Sequence, residues 1–116
     1  MKTEQEIKAR VTPEIIKQMC ALAEGFENTG AYIFHFMGVN YSTHSSLFPL
    51  LIHRAVDGFN KIERENGSYL DIDNESIWMV SYKENFEEIG FEFKDYKSDT
   101  LTAVELACLD CLIDIT

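Results

Sequence analysis

The chain has 116 residues, 46% of them hydrophobic and 26% charged, which is ordinary for a single soluble globular domain. The formal net charge of −10 arises entirely in the second half. Residues 1–56 carry five acids and five bases, whereas residues 57–116 carry fifteen acids and five bases. Because nucleic acids and anionic membranes attract basic surfaces, this balance argues against direct binding to either.

The beginning of the chain favours a cytoplasmic protein. Charges are spread through the first fifteen residues, which therefore lack the apolar core of a secretory signal. The longest apolar run, 47–52, is too short to cross a membrane. We expect one domain over residues 1–116, with the polar residues 1–11 as a possible loose extension. In a reducing compartment the three cysteines should be free thiols.

The first half predicts two helices and a strand. Thr12 and Pro13 are typical of a helix start, and Gly25 is a suitable stop. The aromatic segment 30–38 predicts a strand that is apolar on both faces and largely buried. Residues 40–46 form either an exposed loop or the outgoing arm of a hairpin. An apolar stripe from about Ser46 to Arg64 predicts the second helix.

The second half predicts three strands and a last helix. Strand-like segments occupy 69–73, 77–82 and 89–96, with short polar turns around 74–75 and 84–85 that favour an antiparallel meander. Thr102 and Glu105 form a capping box at the start of the last helix. We therefore expect an α+β fold in two layers, with three helices packed on a mainly antiparallel sheet of about four strands.

The last helix contains Cys108 and Cys111 in a C-x-x-C spacing. On a helical wheel both thiols fall at apolar positions, while Asp110 and Asp114 share the remaining side. A redox pair needs the positive end of a helix to stabilise its thiolate, and a structural zinc needs four ligands. We interpret the pair as core side chains. The alternatives are a metal site completed by Cys20 or a histidine, and a redox pair.

Three histidines are weaker candidates for chemistry. His53 and Asp57 lie four residues apart on a polar helix face, which suits a base with its orienting carboxylate or two metal ligands. The other interpretation is a solvated helix face. His44 lies in a hydroxyl-rich loop that lacks a nucleophile motif, and His35 is expected to be a hydrogen-bonded interior histidine. No residue is assigned to catalysis, to a cofactor or to a metal.

Two segments and a short link resemble a known pattern. Leu50 to Asn60, followed by Lys94-Asp-Tyr and then by Leu101 to Leu112, is similar to small phage and prophage proteins of gut bacteria. That family has no assigned function, so the resemblance implies a phage-type protein and no site residues.

These observations lead to a functional hypothesis. We expect a non-enzymatic accessory protein of phage or mobile-element type that binds a protein partner and needs no cofactor. Because the last helix is apolar over more than half of its circumference, we also expect a homodimer through it. The alternatives are an acidic DNA mimic that inhibits a host nucleic-acid-binding protein, and a small metal- or thiol-dependent enzyme.

Overall fold

A computed structural model describes residues 1–82 and 85–116 as an α+β fold, the class expected from the sequence. Over these residues the chain forms four α-helices and three small sheets, not three helices on one sheet of about four strands. The helices are α1 (Glu4–Lys8), α2 (Pro13–Leu22), α3 (Phe48–Lys61) and α4 (Ala103–Asp114). The strands are β1 (Lys2–Thr3), β2 (Phe26–Asn28), β3 (Ile33–Phe36), β4 (Val39–Ser42), β5 (Tyr69–Ile72), β6 (Ser76–Ser81), β7 (Glu87–Glu92) and β8 (Tyr96–Lys97).

Each sheet has its own strand pairing. β2, β3 and β4 form one antiparallel sheet, and β5, β6 and β7 form another, which confirms the antiparallel meander in the second half. β1 and β8 form a parallel pair that joins the two ends of the fold. The turn expected around 84–85 falls partly on Glu84, which, with Lys83, lies outside the described residues.

The helix boundaries follow the capping chemistry of the sequence. The hydroxyl of Thr12 accepts the backbone N–H of Ile15 at the start of α2, and the capping box of Thr102 and Glu105 is formed at the start of α4. α3 is shorter than expected and ends at Lys61, because the next residue has an extended backbone.

The core is centred on α4. This helix packs against α3, the 3₁₀ turn Phe93–Asp95, and strands β6 and β7, with α1 and β8 also against it. All eight residues from Leu106 to Ile113 are buried, and within Ala103–Asp114 only Asp114 is exposed. The apolar sides of α4 are therefore covered within the monomer. The homodimer through this helix stays a prediction.

The aromatic segment 30–38 differs from its prediction. Phe34 is fully buried and its ring lies near those of Phe26 and Phe48, but Ile33 is 41% exposed and Met37 is 84% exposed. Only one side of β3 faces the core, because its sheet is a small outer layer with no second helix over it among the described residues. The following segment is the outgoing hairpin arm β4.

A close approach of two helices explains one glycine. A Cβ atom on Gly58 of α3 would lie 1.8 Å from the carbonyl oxygen of Leu22 at the end of α2. No side chain fits at that distance, so this packing of α2 against α3 requires glycine at position 58.

Candidate functional site

The three histidines lie apart, each with its own surroundings. His53 Nε2 lies 2.9 Å from the carboxylate of Glu105 on α4, so it joins α3 to the start of that helix. Burial alone would raise the pKa of Glu105, but hydrogen bonds from Thr102 and His53 hold it below its ordinary value. Asp57, the expected partner of His53, instead lines a shallow cleft with Arg54 and Lys61. The pair is therefore not assembled as a catalytic base and its carboxylate.

His35 makes a contact within its own hairpin. Its Nδ1 lies 3.0 Å from the side-chain oxygen of Asn40, directly across the β3–β4 ladder. The ring is only half-buried, so His35 is hydrogen-bonded as expected but is not an interior residue.

His44 lines a cleft with a volume of about 680 Å³. The cleft lies between the N-terminal segment and the loop that precedes α4. Its lining is mostly hydroxyl, amide and charged groups: Thr3, Glu4, Gln5, Lys8, His44, Lys97, Ser98, Asp99 and Thr100.

Glu4 is a buried residue of this cleft, and both oxygens of its carboxylate already have hydrogen-bond or ion-pair partners. It accepts hydrogen bonds from the backbone N–H groups of Asp99 and Leu101 and from the hydroxyl of Thr100, and it pairs with Lys8. Burial would raise its pKa, but these donors outweigh burial and lower it to about 2. Glu4 therefore ties the N-terminal segment to the loop before α4 and is not available as a general base.

The cysteines are buried side chains of the core. Cys20, Cys108 and Cys111 are free thiols with 5% exposure or less, which confirms the prediction that the C-x-x-C pair packs in the interior. Burial raises the pKa of Cys20 to about 11 and the pKa values of Cys108 and Cys111 to about 12. These thiols are protonated at neutral pH, which is unsuited to nucleophilic or redox chemistry.

Asp110, between the two cysteines, is the residue that the helical wheel misplaced. It is 2% exposed, and its carboxylate accepts hydrogen bonds from Lys2 (2.8 Å), Arg10 (2.6 Å) and the hydroxyl of Tyr96 (2.7 Å). Burial would raise its pKa, but these three donors lower it. An acidic residue within an apolar helix indicates that other residues donate hydrogen bonds to it. The sequence alone does not show which residues these are, because Lys2 and Arg10 are about a hundred positions away.

Metal ligation has little support from the geometry. Within residues 1–82 and 85–116, no three His, Cys, Asp or Glu side chains are close enough together to hold a metal ion.

None of the described helices has both the length and the apolar character needed to cross a membrane.

The outer surface of the β5–β6–β7 sheet carries both aromatic and acidic residues. Leu70, Ile77 and Phe91 point into the core, so the alternate residues of the three strands point away from it. We call this surface the outer face. It comprises Tyr69 and Asp71 of β5, Trp78 and Val80 of β6 followed by Tyr82, and Glu88, Gly90 and Glu92 of β7.

Aromatic side chains dominate the centre of the outer face. The indole of Trp78 lies over Gly90 on the neighbouring strand, where a Cβ atom would be 2.6 Å from the ring. Tyr69 and Tyr82 meet edge to face with their ring centroids 6.2 Å apart. Val80 is buried on this face although it is not part of the main core. Tyr69, Trp78 and Tyr82 therefore lie on one face of the sheet, which also carries Asp71, Glu88 and Glu92.

Sequence reasoning missed this surface. The alternation of apolar and acidic residues in 69–73 was visible, but it did not show that Trp78 would lie on the same side, because the register of the three strands decides which residues are neighbours.

Comparison with known proteins gave no relatives from which a function could be transferred. Neither protein-family models, nor curated proteins, nor solved structures matched this chain. The resemblance to phage and prophage proteins stays a prediction, and function has to be argued from the geometry.

Proposed function

We propose that this protein is a non-enzymatic interaction domain that binds a basic protein partner through the outer face. The observation that carries the proposal is that Tyr69, Trp78 and Tyr82 lie on one face of the β5–β6–β7 sheet, together with exposed acidic residues. On the resemblance alone, we further propose that it acts as an accessory protein of phage or mobile-element type.

The composition of the outer face suits protein binding. Tyr and Trp are enriched where proteins meet, because each combines a large apolar area with a polar group and loses little conformational entropy. Tyr69 is 41% exposed and Tyr82 is 56% exposed, so both have area left to bury. No described helix covers this side of the sheet, since α4 packs against β6 and β7 on the opposite side, where Ile77 and Phe91 join the core.

The charges on the same face indicate the chemistry of the partner. Asp71, Glu88 and Glu92 are all exposed, and their carboxylates would be neutralised by Lys or Arg side chains of a partner. Of these, only Glu92 has a nearby cation on its own chain among the described residues, the exposed Lys94. We therefore expect association to be faster and tighter at low salt.

The surroundings of the titratable groups support binding more than catalysis. His35, His44 and His53 lie in three separate places, Glu4 and Asp110 are saturated by donors, and the thiols are buried. A metal- or thiol-dependent enzyme would need at least two of these groups to meet at an open site.

The test is capture of a partner with matched variants. In Tyr69→Ser/Tyr82→Ser both exposed tyrosines of the outer face are removed. Tyr32→Ser removes a tyrosine of similar exposure (57%) near the other antiparallel sheet. The proposal predicts a basic protein that wild type and Tyr32→Ser retain and that Tyr69→Ser/Tyr82→Ser loses by about tenfold or more. Equal retention by all three proteins would show that the outer face is not the binding surface.

An acidic DNA mimic is the second candidate, favoured by the excess of acids in residues 57–116. It predicts that the captured partner binds nucleic acid and that duplex DNA displaces it from this protein. A partner that stays bound in excess DNA would favour the interaction domain over the mimic.

A further inference from the structure

We propose that the partner contributes an extended segment containing Lys or Arg, and that this segment adds to the β5–β6–β7 sheet as a fourth strand beside β7. This inference depends on the proposed function and deepens it, because it names the shape of the partner and the edge at which it pairs.

A side chain blocks the edge of the sheet at Leu70 of β5. Asn60 on α3 donates its amide N–H to the carbonyl of Leu70 at 2.8 Å, and its amide oxygen accepts the N–H of Leu70 at 2.7 Å. The side chain thus makes the two hydrogen bonds that a neighbouring strand would make at this residue.

The edge at β7 has backbone groups that face outward. The N–H of Phe93 donates to the carbonyl of Glu75 at 2.8 Å, which makes these two residues a hydrogen-bonded pair of the ladder. Because such pairs alternate, Phe91 and Ile89 bond to β6, while the N–H and C=O groups of the residues between them point away from it. The residues with outward groups are Glu88, Gly90 and Glu92.

These outward groups are open to a partner. Within residues 1–82 and 85–116, no hydrogen bond reaches the backbone N–H or C=O of Glu88, Gly90 or Glu92. All three residues are exposed. Three residues in alternation provide as many as six hydrogen bonds to an added strand.

The negative charges at this edge disfavour pairing with a second copy of the chain and favour pairing with a basic segment. If two copies paired in antiparallel fashion around Gly90, Glu88 of each would lie directly opposite Glu92 of the other. Like charges in such positions are destabilising. A segment with Lys or Arg at alternate positions would instead place cations beside Glu88 and Glu92. Opposite Gly90 it would approach the indole of Trp78, where a cation is also stabilised.

The binding test uses synthetic peptides as probes. The first peptide alternates lysine with threonine. The second has glutamate in place of lysine, and the third is the lysine peptide with alternate backbone nitrogens methylated, so that its pairing edge is blocked. Trp78 is the only tryptophan of the chain, so its fluorescence reports binding at this face. We expect the lysine peptide to bind about tenfold or more tightly than either control.

Amide hydrogen exchange locates the bound peptide. The proposal predicts that the lysine peptide slows exchange at Glu88, Gly90 and Glu92 and leaves Asp71 unchanged, since the N–H of Asp71 already bonds within the sheet. Binding with free exchange at Glu88, Gly90 and Glu92 would overturn strand addition, as would equal affinity for the lysine and the methylated peptides.

Matched variants separate the backbone from the charge. Glu88→Pro removes an outward N–H and a carboxylate, whereas Glu88→Gln removes only the charge. Proline is tolerated on an edge strand where its missing N–H faces solvent. We expect about tenfold weaker binding for Glu88→Pro and about threefold for Glu88→Gln. Glu92→Pro and Glu92→Gln repeat the comparison if the first proline variant does not fold. Equal losses in the two members of a pair contradict the inference.

The two proposals fail in different ways. A partner that is lost in Tyr69→Ser/Tyr82→Ser but is held normally by Glu88→Pro would leave the interaction domain standing and overturn strand addition. A partner that is held by both variants would overturn both proposals.

Discussion

Lys2 and Asp110 are 108 positions apart in the chain, yet the ammonium of Lys2 lies 2.8 Å from the carboxylate of Asp110. Arg10 and Tyr96 donate to the same carboxylate. With the Glu4 contacts, this cluster fastens β1 and α1 to the far end of the chain. The first eleven residues, which could have been loose from their composition, are thereby part of the folded domain.

We expect Asp110→Asn to lower the free energy of unfolding by about 2 kcal/mol, because an amide cannot neutralise Lys2 and Arg10. Both cations are half-exposed and can turn towards water, which limits the loss. Denaturant unfolding followed by circular dichroism measures the change. The control is Asp114→Asn, an exposed acid on the same helix, which should change stability by about 0.5 kcal/mol or less. Similar effects of the two substitutions would contradict the role of Asp110.

Acid should destabilise the fold through Glu4. Its pKa is lowered from an ordinary value of 4.5 to about 2 in the folded state, so its contribution is complete above about pH 4.5 and is lost as pH falls towards about 2. Asp110, whose pKa is also lowered, acts in the same direction. We expect wild type to lose on the order of 2 kcal/mol through Glu4 over this range. Glu4→Gln should show a smaller loss than wild type, and Glu27→Gln, on the exposed part of β2, should behave as wild type.

Gly58→Ala tests the contact between α2 and α3. In an isolated helix alanine is about 1 kcal/mol more favourable than glycine, but here its Cβ atom would collide with the backbone of Leu22. We expect a net loss of about 2 kcal/mol, measured as a lower melting temperature. Lys61→Ala, at an exposed position of the same helix, is the control. A stabilised Gly58→Ala protein would show that the two helices can move apart at no cost.

The cysteine pair should be replaceable. Valine is apolar and larger than cysteine by only about one methylene group, so Cys108→Val/Cys111→Val should keep the fold and lose about 1.5 kcal/mol or less. Because burial raises the pKa values of both thiols to about 12, the native wild type should react with a thiol reagent at neutral pH only as fast as it opens. Rapid labelling, or loss of partner binding in the double variant, would contradict a packing role.

Gly90→Ala tests the arrangement of the outer face. The new methyl group has to displace the indole of Trp78, which then becomes more exposed to water. We expect a red shift of the tryptophan fluorescence and weaker partner binding, with the melting temperature changed by only a few degrees. Unchanged fluorescence would show that the ring does not lie over Gly90.

Local signals in the sequence predicted local structure well. The capping box at Thr102 and the pair Thr12 and Pro13 each marked a helix start, because these residues satisfy backbone groups within a few positions. The antiparallel order of the last three strands followed from short turns. These features depend on neighbours in the chain, so the sequence alone was sufficient to predict them.

The features that depend on distant residues were not predicted. The wheel placed Asp110 on a polar side because the cations that bury it, Lys2 and Arg10, come from the opposite end of the chain. The parallel pairing of β1 with β8 involves only two residues on each strand, which is too short for a sequence pattern. Because this pairing could not be predicted, the sequence did not show where the N-terminal segment packs or how many sheets the fold contains.

The side-chain amide of Asn60 has a consequence for stoichiometry. A sheet with two open edges can extend in both directions and so produce chains of indefinite length, whereas the β5 edge of this sheet is blocked at Leu70. A strand that joins at β7 therefore leaves a far edge at which Leu70 is already blocked, and further addition there is disfavoured. The complex should contain one partner segment for each copy of the protein, and increasing the concentration should saturate binding without producing filaments.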